Sequence, residues 1–386
     1  MRVLFVGEGT VTDNVRCKLP AMHLAKLGYE TAYLELRFRE ESPAPDTSFD
    51  AIIFSRPHHD SLMLSYKRLG IPVIVDMDDD FHAIPEDHPG YKWVGKGDEL
   101  YLNKLENCLY LADRVTVATS ALQERLMRFN PNCTMIPNGW SADNFNWLVK
   151  RSLYKDRFIF GWGGTVTHRK DFRQCINPIK AFLKKHTNAM ISIIGDLEIY
   201  NYFVNVPEDQ KLFIPMIDYH LYPIGLSMWD VLLAPLEDTY FNQAKSDIKL
   251  IDAGAKGIPY IASDISIYKG WEGCGLLVNP EGWYEAMEKL IEQPELCKEM
   301  GKKGQMAVKY REMTVLVEKW KMVIEEYAHA KPQETESGSP DTNGGDGVPL
   351  PLENPYQDRS NRLPNRRKEG RNKAARQSKK GKAKTK

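Results

Sequence analysis

No stretch of the 386-residue chain is apolar over enough residues to cross a bilayer, since a membrane-spanning helix needs about 18 or more consecutive apolar residues. The first apolar patch, Leu4 to Val6, has only the length of a strand, and Gly7 and Glu8 follow it directly. This patch is too short for the apolar region of a secretory signal. We therefore expect a cytoplasmic protein.

Closely spaced cysteines are missing as well. The six cysteines are scattered and form no Cys-x-x-Cys pair, so the sequence indicates neither a zinc knuckle nor a disulfide framework. We expect free and mostly buried thiols. The cysteines are Cys17, Cys108, Cys133, Cys175, Cys274 and Cys297.

Net charge is absent too, although the two signs are unevenly distributed. The chain has 52 Lys and Arg against 52 Asp and Glu. Residues 359–386 hold thirteen basic residues and one acid, Glu369, a net +12, which leaves 39 basic and 51 acidic residues, a net −12, in the rest. Residues 331–358 are rich in Pro, Gly, Ser, Asp and Glu and can bury little apolar area. We expect 331–386 to be a disordered linker and basic tail, with nucleic acid, an anionic membrane surface or the protein's own acidic region as its partner.

Strand patterns alternate with helix patterns in two successive sets. The first set predicts strands at residues 2–6, 31–36, 51–55, 72–76 and 114–118, and helices at 15–27, 99–111 and 120–129. The second set predicts strands at 158–162, 190–195, 211–215, 231–234, 260–262 and 276–278. Such alternation implies mostly parallel sheets covered by helices on both faces. We predict an α/β protein with two Rossmann-like doubly wound domains, at 1–145 and 158–310, that face a cleft.

The most informative stretch is 242–264, where charged and hydroxyl side chains follow the apolar run of a predicted strand. We expect a helix to begin at Ser246, and the first backbone N–H groups of a helix are unpaired and attract anions. Ser246, Lys245 and Lys249 could then converge on a diphosphate, while Asp252 lies one turn further, beside the hydroxyls of a ribose. The alternative is an amphipathic helix whose lysines face water.

This stretch resembles the donor-binding segment of GT-B glycosyltransferases, particularly those of glycosyltransferase family 4. In that family two glutamates eight positions apart contact the donor sugar and its ribose, and a helix of small residues, a Gly-x-Pro turn and a strand follow. Asp252 matches the second acid, and Gly257-Ile258-Pro259 matches the turn. The first acid falls on Ala244, so Asn242 or Lys245 is expected to replace it.

Further segments extend the resemblance in the order that the family has. Ile136-Pro137-Asn138-Gly139 resembles the segment that closes the first domain. Gly161 to Thr165, with His168 and Asp171 after it, resembles the glycine-rich loop that opens the second. The resemblance also implies that a last helix, at 311–330, crosses back to the first domain.

The glycine-rich loop suits a phosphate because small residues let main-chain N–H groups approach phosphate oxygens. The cations that follow it could add charge-assisted contacts, and the histidine could touch the donor phosphate or sugar. A tight turn with solvated charges is the alternative. The candidate donor contacts here are Gly163, Gly164, Thr165, His168, Arg169 and Lys170.

Two candidates on the acceptor side lie in the first domain. Gly7-Glu8-Gly9-Thr10 permits a tight turn after the first strand, but it lacks the third glycine of a dinucleotide fingerprint. Its position in the GT-B pattern implies that it borders the acceptor, and a purely structural turn is the alternative. Asp76-Met77-Asp78-Asp79-Asp80 could hold a divalent cation. Because GT-B enzymes usually need no metal, we expect Asp76 or Asp78 to contact acceptor or donor hydroxyls instead.

The resemblance implies an enzyme that moves a sugar from a nucleotide-diphosphate sugar to an acceptor hydroxyl with retention, without a metal or other cofactor. Lys245, the helix N-terminus and Arg169 or Lys170 would neutralise the leaving diphosphate, which would itself take the acceptor proton. Lys245, Asn242 and His168 are the catalytic candidates. The acceptor stays open among a glycan, a lipid-linked sugar, a protein and a nucleic acid.

Three alternatives remain at this point. The enzyme could glycosylate nucleic acid, which the basic tail would hold near the cleft. A non-catalytic binding protein could use the same scaffold, because Ala244 replaces an expected acid and fold alone does not secure activity. A nucleotide-sugar epimerase would also fit this architecture.

Overall fold

The computed structural model describes residues 1–38, 40–150, 153, 154 and 156–328. The predicted linker and basic tail, 331–386, lie outside the described residues.

Six parallel strands form the first sheet, in the order β2-β1-β3-β4-β5-β6. Its central strands are buried along their whole length and mostly apolar, as expected when helices cover both faces of a sheet. The strands are β1 (Arg2–Gly7), β2 (Glu30–Glu35), β3 (Ala51–Ser55), β4 (Val73–Met77), β5 (Arg114–Val117) and β6 (Cys133–Met135). The helices are α1 (Val11–Asp13), α2 (Leu19–Lys26), α3 (Asp60–Arg68), α4 (Tyr91–Val94), α5 (Glu99–Leu111) and α6 (Ser120–Leu126).

A second sheet of six parallel strands has the order β12-β11-β10-β7-β8-β9. Its strands are β7 (Phe158–Gly164), β8 (Ala189–Gly195), β9 (Lys211–Pro215), β10 (Val231–Ala234), β11 (Tyr260–Ser263) and β12 (Gly275–Val278). The helices that follow are α7 (Arg169–Lys185), α8 (Leu197–Asn201), α9 (Tyr222–Leu226), α10 (Ile248–Lys256), α11 (Trp283–Glu292), α12 (Pro294–Ala307) and α13 (Met313–Ala328). The prediction of two Rossmann-like domains is confirmed.

The local predictions fail in three places in the first domain. Strand β6 has only three residues, too few to show a pattern in the sequence. The helix predicted at 15–27 is broken by a π-helical segment, Asn14–Lys18, between α1 and α2. The helix predicted at 120–129 ends at Leu126, and the hydroxyl of Thr119 accepts the N–H of Leu122 and so caps its start.

The last helix, α13, packs against the first sheet although it follows the second in sequence. Leu316 and Trp320 of α13 are buried with Val3 and Phe5 of β1 in one hydrophobic core, and the Trp320 and Phe5 rings meet edge to face at 6.1 Å. The apolar face of this helix therefore ties the end of the described chain to its beginning.

All six cysteines are free and buried, which confirms the expectation for the thiols. Within the described residues, no helix combines the length and the apolar character needed to cross a membrane.

The carboxyl ends of β4 and β5 meet the carboxyl end of β10 across the cleft. The hydroxyl of Thr119, after β5, donates to the carbonyl of Ala244 at 2.8 Å. The rings of His88 and Phe241 lie 5.2 Å apart. These contacts bring the two sets of strand-end loops together, which is where ligands bind in open parallel sheets.

Candidate functional site

The glycine-rich loop forms the end of β7, where a side chain would not fit. A Cβ on Gly163 would lie 2.5 Å from the hydroxyl of Tyr222. Gly164 ends the strand, and the Thr165 hydroxyl lies 2.9 Å from the Thr167 hydroxyl in the turn before α7. The missing side chains make room for Tyr222 beside Gly163 and for Trp162 beside Gly164. The phosphate contact of this loop stays a prediction.

The segment between β10 and α10 carries the second group of candidates. Asn242–Ala244 form a short 3-10 turn, and α10 begins at Ile248. The predicted helix start at Ser246 is wrong by two residues, because Asp247 occupies the N-cap position. Ser246 and Lys245 therefore lie just before the helix, beside its unpaired N–H groups.

Lys245 reaches across the cleft to the first domain. Its Nζ lies 3.1 Å from Oδ1 of Asp79, in the loop after β4, and 4.5 Å from the ring centre of Phe241. The Lys245 side chain is 14% exposed and that of Asp79 is 19% exposed. An anionic ligand that bound Lys245 would therefore compete with a carboxylate of the opposite domain.

Lys249, in the first turn of α10, bonds to the glycine-rich loop. Its Nζ donates to the carbonyl oxygen of Gly163 at 2.5 Å and lies 5.3 Å from the ring centre of Trp162. Burial lowers the pKa of Lys249 to about 8, although Asp252 raises it. Lys249 hydrogen-bonds a neutral carbonyl, while the carboxylates of Asp252 and Asp171 balance part of its charge.

Asp252 lies one turn further along α10, as predicted, and is 6% exposed. Burial raises the pKa of its carboxyl to about 7, while the neighbouring ammonium of Lys249 lowers it. The phenols of Tyr219 and Tyr222 lie close enough for Asp252 to raise their pKa, in addition to the effect of burial. The ribose contact stays a prediction, with hydroxyl groups already near the carboxylate.

Asp171 joins two of the three catalytic candidates, a role that sequence reasoning missed. One carboxylate oxygen lies 3.0 Å from Nδ1 of His168, and the other accepts the Asn242 side-chain amide at 2.9 Å and the Glu237 backbone N–H at 3.0 Å. The spacing of His168 and Asp171 on one helical turn was the available signal. The buried carboxylate fixes both side chains.

His168 is neutral at physiological pH in this setting. Burial lowers its pKa to about 4 together with Lys249 and Lys245, although Asp171 raises it. Because the Asp171 carboxylate can only accept, Nδ1 of a neutral His168 carries the proton. Its Nε2 is then a hydrogen-bond acceptor, suited to a hydroxyl group.

Arg169 and Lys170, predicted as phosphate contacts, are paired with acids. Arg169 lies 3.0 Å from Asp196 and also bonds Glu198. Lys170 lies 2.7 Å from Asp87 of the first domain. This geometry favours a role in holding loops in place over direct charge compensation of a phosphate.

Asp76 is fully buried in the interior of the first domain. Its carboxylate accepts from Nε and Nη2 of Arg16 at 2.9 and 2.5 Å and from the Thr116 hydroxyl at 2.6 Å. With 0% exposure and these partners, Asp76 does not reach the cleft as the predicted hydroxyl contact requires. The geometry favours a structural role for it.

The other aspartates of the run are also paired with arginines. Arg56 bonds Asp78 at 2.5 and 2.7 Å and Asp79 at 3.2 Å, and Arg125 lies 3.1 Å from Asp80. Although burial raises it, the pKa of Asp78 is lowered by Arg56. Within the described residues, no group of three or more His, Cys, Asp or Glu side chains could hold a metal ion.

Acidic side chains surround the turn after β1. Gly9 has φ +77°, and a Cβ there would lie 2.5 Å from the carboxylate of Glu35, so this position requires glycine. A Cβ on Gly7 would meet the Asp13 carboxylate at 2.7 Å. The Glu8 carboxylate lies 2.9 Å from Nδ1 of the buried His58. The acceptor-side role of Gly7, Glu8 and Gly9 remains a prediction.

A cavity of 370 Å³ opens between the domains beside Asn242 and Thr167. Its wall comes from the first domain at Asp87 and His88 and from the second at Asp171 and Asn242. Volumes of this size accept small ligands. The mixture of acids, amides and cations suits a ligand with many hydroxyl groups.

Comparisons with solved structures bear on this arrangement. A glycosyltransferase from Rickettsia africae is similar, with a TM-score of 0.63, 13% identity, and coverage of 86% of this chain and 99% of that one. HepE of Anabaena, solved in complex with UDP-glucose, has a TM-score of 0.62 and 12% identity, covering 84% and 100%. A putative UDP-N-acetylglucosamine 2-epimerase from Listeria monocytogenes has a TM-score of 0.56 and 10% identity, covering 85% and 97%.

The chain has the GT-B fold. The two parallel sheets, the cleft between them and the match over the full length of several GT-B structures agree on this. No protein-family model matches the sequence, and no curated protein matches it either. At these low identities the likeness establishes the fold alone.

Proposed function

We propose that this protein transfers a sugar from a nucleotide-diphosphate sugar to an acceptor hydroxyl. The observation that carries the proposal is Lys249, a part-buried ammonium held at the glycine-rich loop by the Gly163 carbonyl, with Lys245 and the start of α10 beside it. Two cations and unpaired N–H groups at one loop make an anion site. The complex of HepE with UDP-glucose, on the same fold, supports a nucleotide-sugar ligand.

In this proposal the diphosphate lies between the glycine-rich loop and the start of α10. Lys249 and Lys245 balance the charge that develops on the leaving diphosphate, and Lys245 gives up Asp79 to do so. Asp252, one turn further along the helix, accepts hydrogen bonds from the ribose hydroxyls. Groups held in place before the reaction lower the barrier without reorganising.

The sugar would extend toward the 370 Å³ cavity, whose wall includes Asn242 and Asp171, the partner of His168. Neutral His168 offers Nε2 as an acceptor for a sugar hydroxyl, and Asn242 takes the place of the family's first acid. The amide nitrogen of Asn242 is used by Asp171, which leaves its carbonyl oxygen for a ligand. Attack by the acceptor on the face that the diphosphate leaves gives retention, with the departing phosphate taking the acceptor proton.

The acceptor comes from the side of the first domain in this proposal. Asp78 and Asp79, which pair with Arg56, and the turn at Gly7 to Gly9 would line that wall of the cleft. A nucleic-acid acceptor would use residues 359–386, whose thirteen cations could bind phosphates. A nucleotide-sugar epimerase, which the Listeria neighbour represents on the same fold, would convert the sugar and keep the nucleotide attached.

The test is to incubate the full chain with a panel of UDP-, GDP- and ADP-sugars and analyse the products. We expect release of one nucleoside diphosphate together with the free or transferred sugar. An isomerised sugar still attached to its nucleotide would indicate the epimerase instead. If no nucleotide sugar is converted and none raises the melting temperature, the proposal is wrong, since a ligand at 100 times its Kd stabilises the fold by about 2.7 kcal/mol.

A further inference from the structure

The side chain of Asn138 connects the buried core of the first domain to the segment before α10. Its Oδ1 accepts from Nη1 of Arg16 at 3.1 Å, and its Nδ2 donates to Oγ of Ser246 at 2.8 Å. Asn138 is 6% exposed, and Ser246 is part-buried at the edge of the cleft. The first bond spans 122 residues of the chain and the second spans 108.

Arg16 fixes which way the Asn138 amide faces. A guanidinium carries only donors, so the atom of Asn138 that it meets must be the carbonyl oxygen. Arg16 itself cannot turn away, because it is 1% exposed and bonds both oxygens of Asp76. It also donates to the Ile136 carbonyl at 2.6 Å. A flipped amide would place N–H groups against N–H groups.

The orientation of the amide in turn decides what the Ser246 hydroxyl can do. Since Nδ2 of Asn138 donates to Oγ, the hydroxyl oxygen is used as an acceptor and its own proton points to another partner. Ser246 lies between Lys245 and the start of α10, where the proposed diphosphate binds. A phosphate oxygen can only accept a hydrogen bond from this hydroxyl.

We propose that Asn138 is a positioning residue that makes the Ser246 hydroxyl a donor to a diphosphate oxygen. The inference rests on the proposed function, because it assigns a donor direction within that same site. Hydrogen bonds link Asp76 to Arg16, Arg16 to Asn138 and Asn138 to Ser246. Each of these bonds fixes which group donates in the next one, up to the ligand. The backbone carbonyl of Asn138 also accepts from Arg311 at 3.1 Å, which keeps the side chain in register.

Asn138→Asp tests the direction with little change in shape. A carboxylate there still accepts from Arg16 but cannot donate, so the Ser246 hydroxyl would donate to it and present lone pairs to the phosphate. We expect Asn138→Asp to weaken binding of UDP, the probe, by about tenfold, as loss of a hydrogen bond to a charged group does. Ser246→Ala should weaken it to a similar degree. Binding of uridine, which has no phosphate, should not change.

The double variant separates hydroxyl direction from added charge. If the direction matters, Asn138→Asp in the Ser246→Ala background should cost no further UDP affinity. An equal loss in both backgrounds would mean that charge repulsion is the cause, and would overturn the inference while the proposed function stands. Wild-type protein that binds no nucleoside diphosphate or nucleotide sugar would overturn both.

A second substitution covers the case in which the aspartate variant does not fold. Asn138→Ala removes the amide donor and lets the Ser246 hydroxyl rotate. We expect a loss of UDP affinity of about two- to fivefold in the wild-type background and none in the Ser246→Ala background. A loss that is the same in both, or a weaker affinity for uridine, would show a structural role and contradict the inference.

Discussion

The two charged segments that face each other across the cleft differ in how their charges are balanced. The aspartate run after β4 is paired with Arg16, Arg56 and Arg125 inside the first domain. The lysines before and within α10 have weaker compensation, with Lys249 bonded to a carbonyl and Lys245 sharing an acid of the other domain. A charge cluster with internal partners supports the fold, whereas one without them is available to a ligand.

The largest expected effect is on the paired side. Asp76→Asn removes the charge that balances the buried guanidinium of Arg16, and breaking a buried pair in this way costs about 3 to 5 kcal/mol. We expect the free energy of unfolding, measured by urea titration, to fall by that amount. The control is Asp264→Asn, whose exposed partner is Lys269, with an expected change of about 0 to 1 kcal/mol. If the two substitutions lowered the free energy of unfolding equally, Asp76 would not be a structural residue of the first domain.

On the ligand side, Lys245→Ala should affect turnover and spare folding. Loss of one electrostatic contact to the developing charge costs about 2.7 to 4 kcal/mol in the transition state. We expect kcat for the accepted nucleotide sugar to fall accordingly, with a melting temperature near that of the wild type. Lys269→Ala, which removes an exposed lysine paired with Asp264, is the matched control and should lower kcat little. Wild-type turnover by Lys245→Ala would remove it from the diphosphate site.

A smaller effect concerns pH. Nucleotide binding uses the ionised form of Asp252, whose pKa is raised to about 7, and the protonated form of Lys249, whose pKa is lowered to about 8. Affinity should therefore be highest between about pH 7 and 8 and fall on both sides. Below this window Asp252 loses its charge, and above it Lys249 does. Calorimetric titration of UDP from pH 5.5 to 9.5 measures the profile. In the Asp252→Asn variant the fall of UDP affinity below pH 7 should disappear. If the fall is unchanged, Asp252 is not part of the site.

The difference between the two segments also explains which features can be predicted from the sequence. Alternating strand and helix patterns predict both sheets, because each buried strand is a continuous apolar run. The lysine segment was found because its residues are close together in the chain. The arginines that pair with the aspartates cannot be found in this way, because Arg16 is 60 residues from Asp76 and only the folded sheet brings them together. A run of like charge therefore suggests a ligand site until the opposite charges that neutralise it are known.

The same limit applies inside the candidate site. Asp171 was noted in the sequence, but its bond to Asn242 spans 71 residues and depends on how β7 and β10 pair. The sequence predicts the start of α10 two residues too early, because Ser246 and Asp247 are adjacent polar residues that both suit a helix start. In the fold, Ser246 instead accepts from Asn138 and Asp247 takes the N-cap position. Tertiary contacts decide between two adjacent polar residues that the sequence leaves equivalent.

The most direct test of the central claim is a calorimetric titration of UDP into the wild-type chain, Lys249→Met and Asp79→Asn at pH 7.5. Lys249→Met removes an ammonium whose hydrogen bond is to the neutral Gly163 carbonyl, so we predict a loss of affinity of at least about tenfold. Asp79→Asn removes the acid that competes for Lys245, so we predict tighter binding. Unchanged affinity in both variants would contradict the account, because the unbalanced lysines would then not bind the diphosphate.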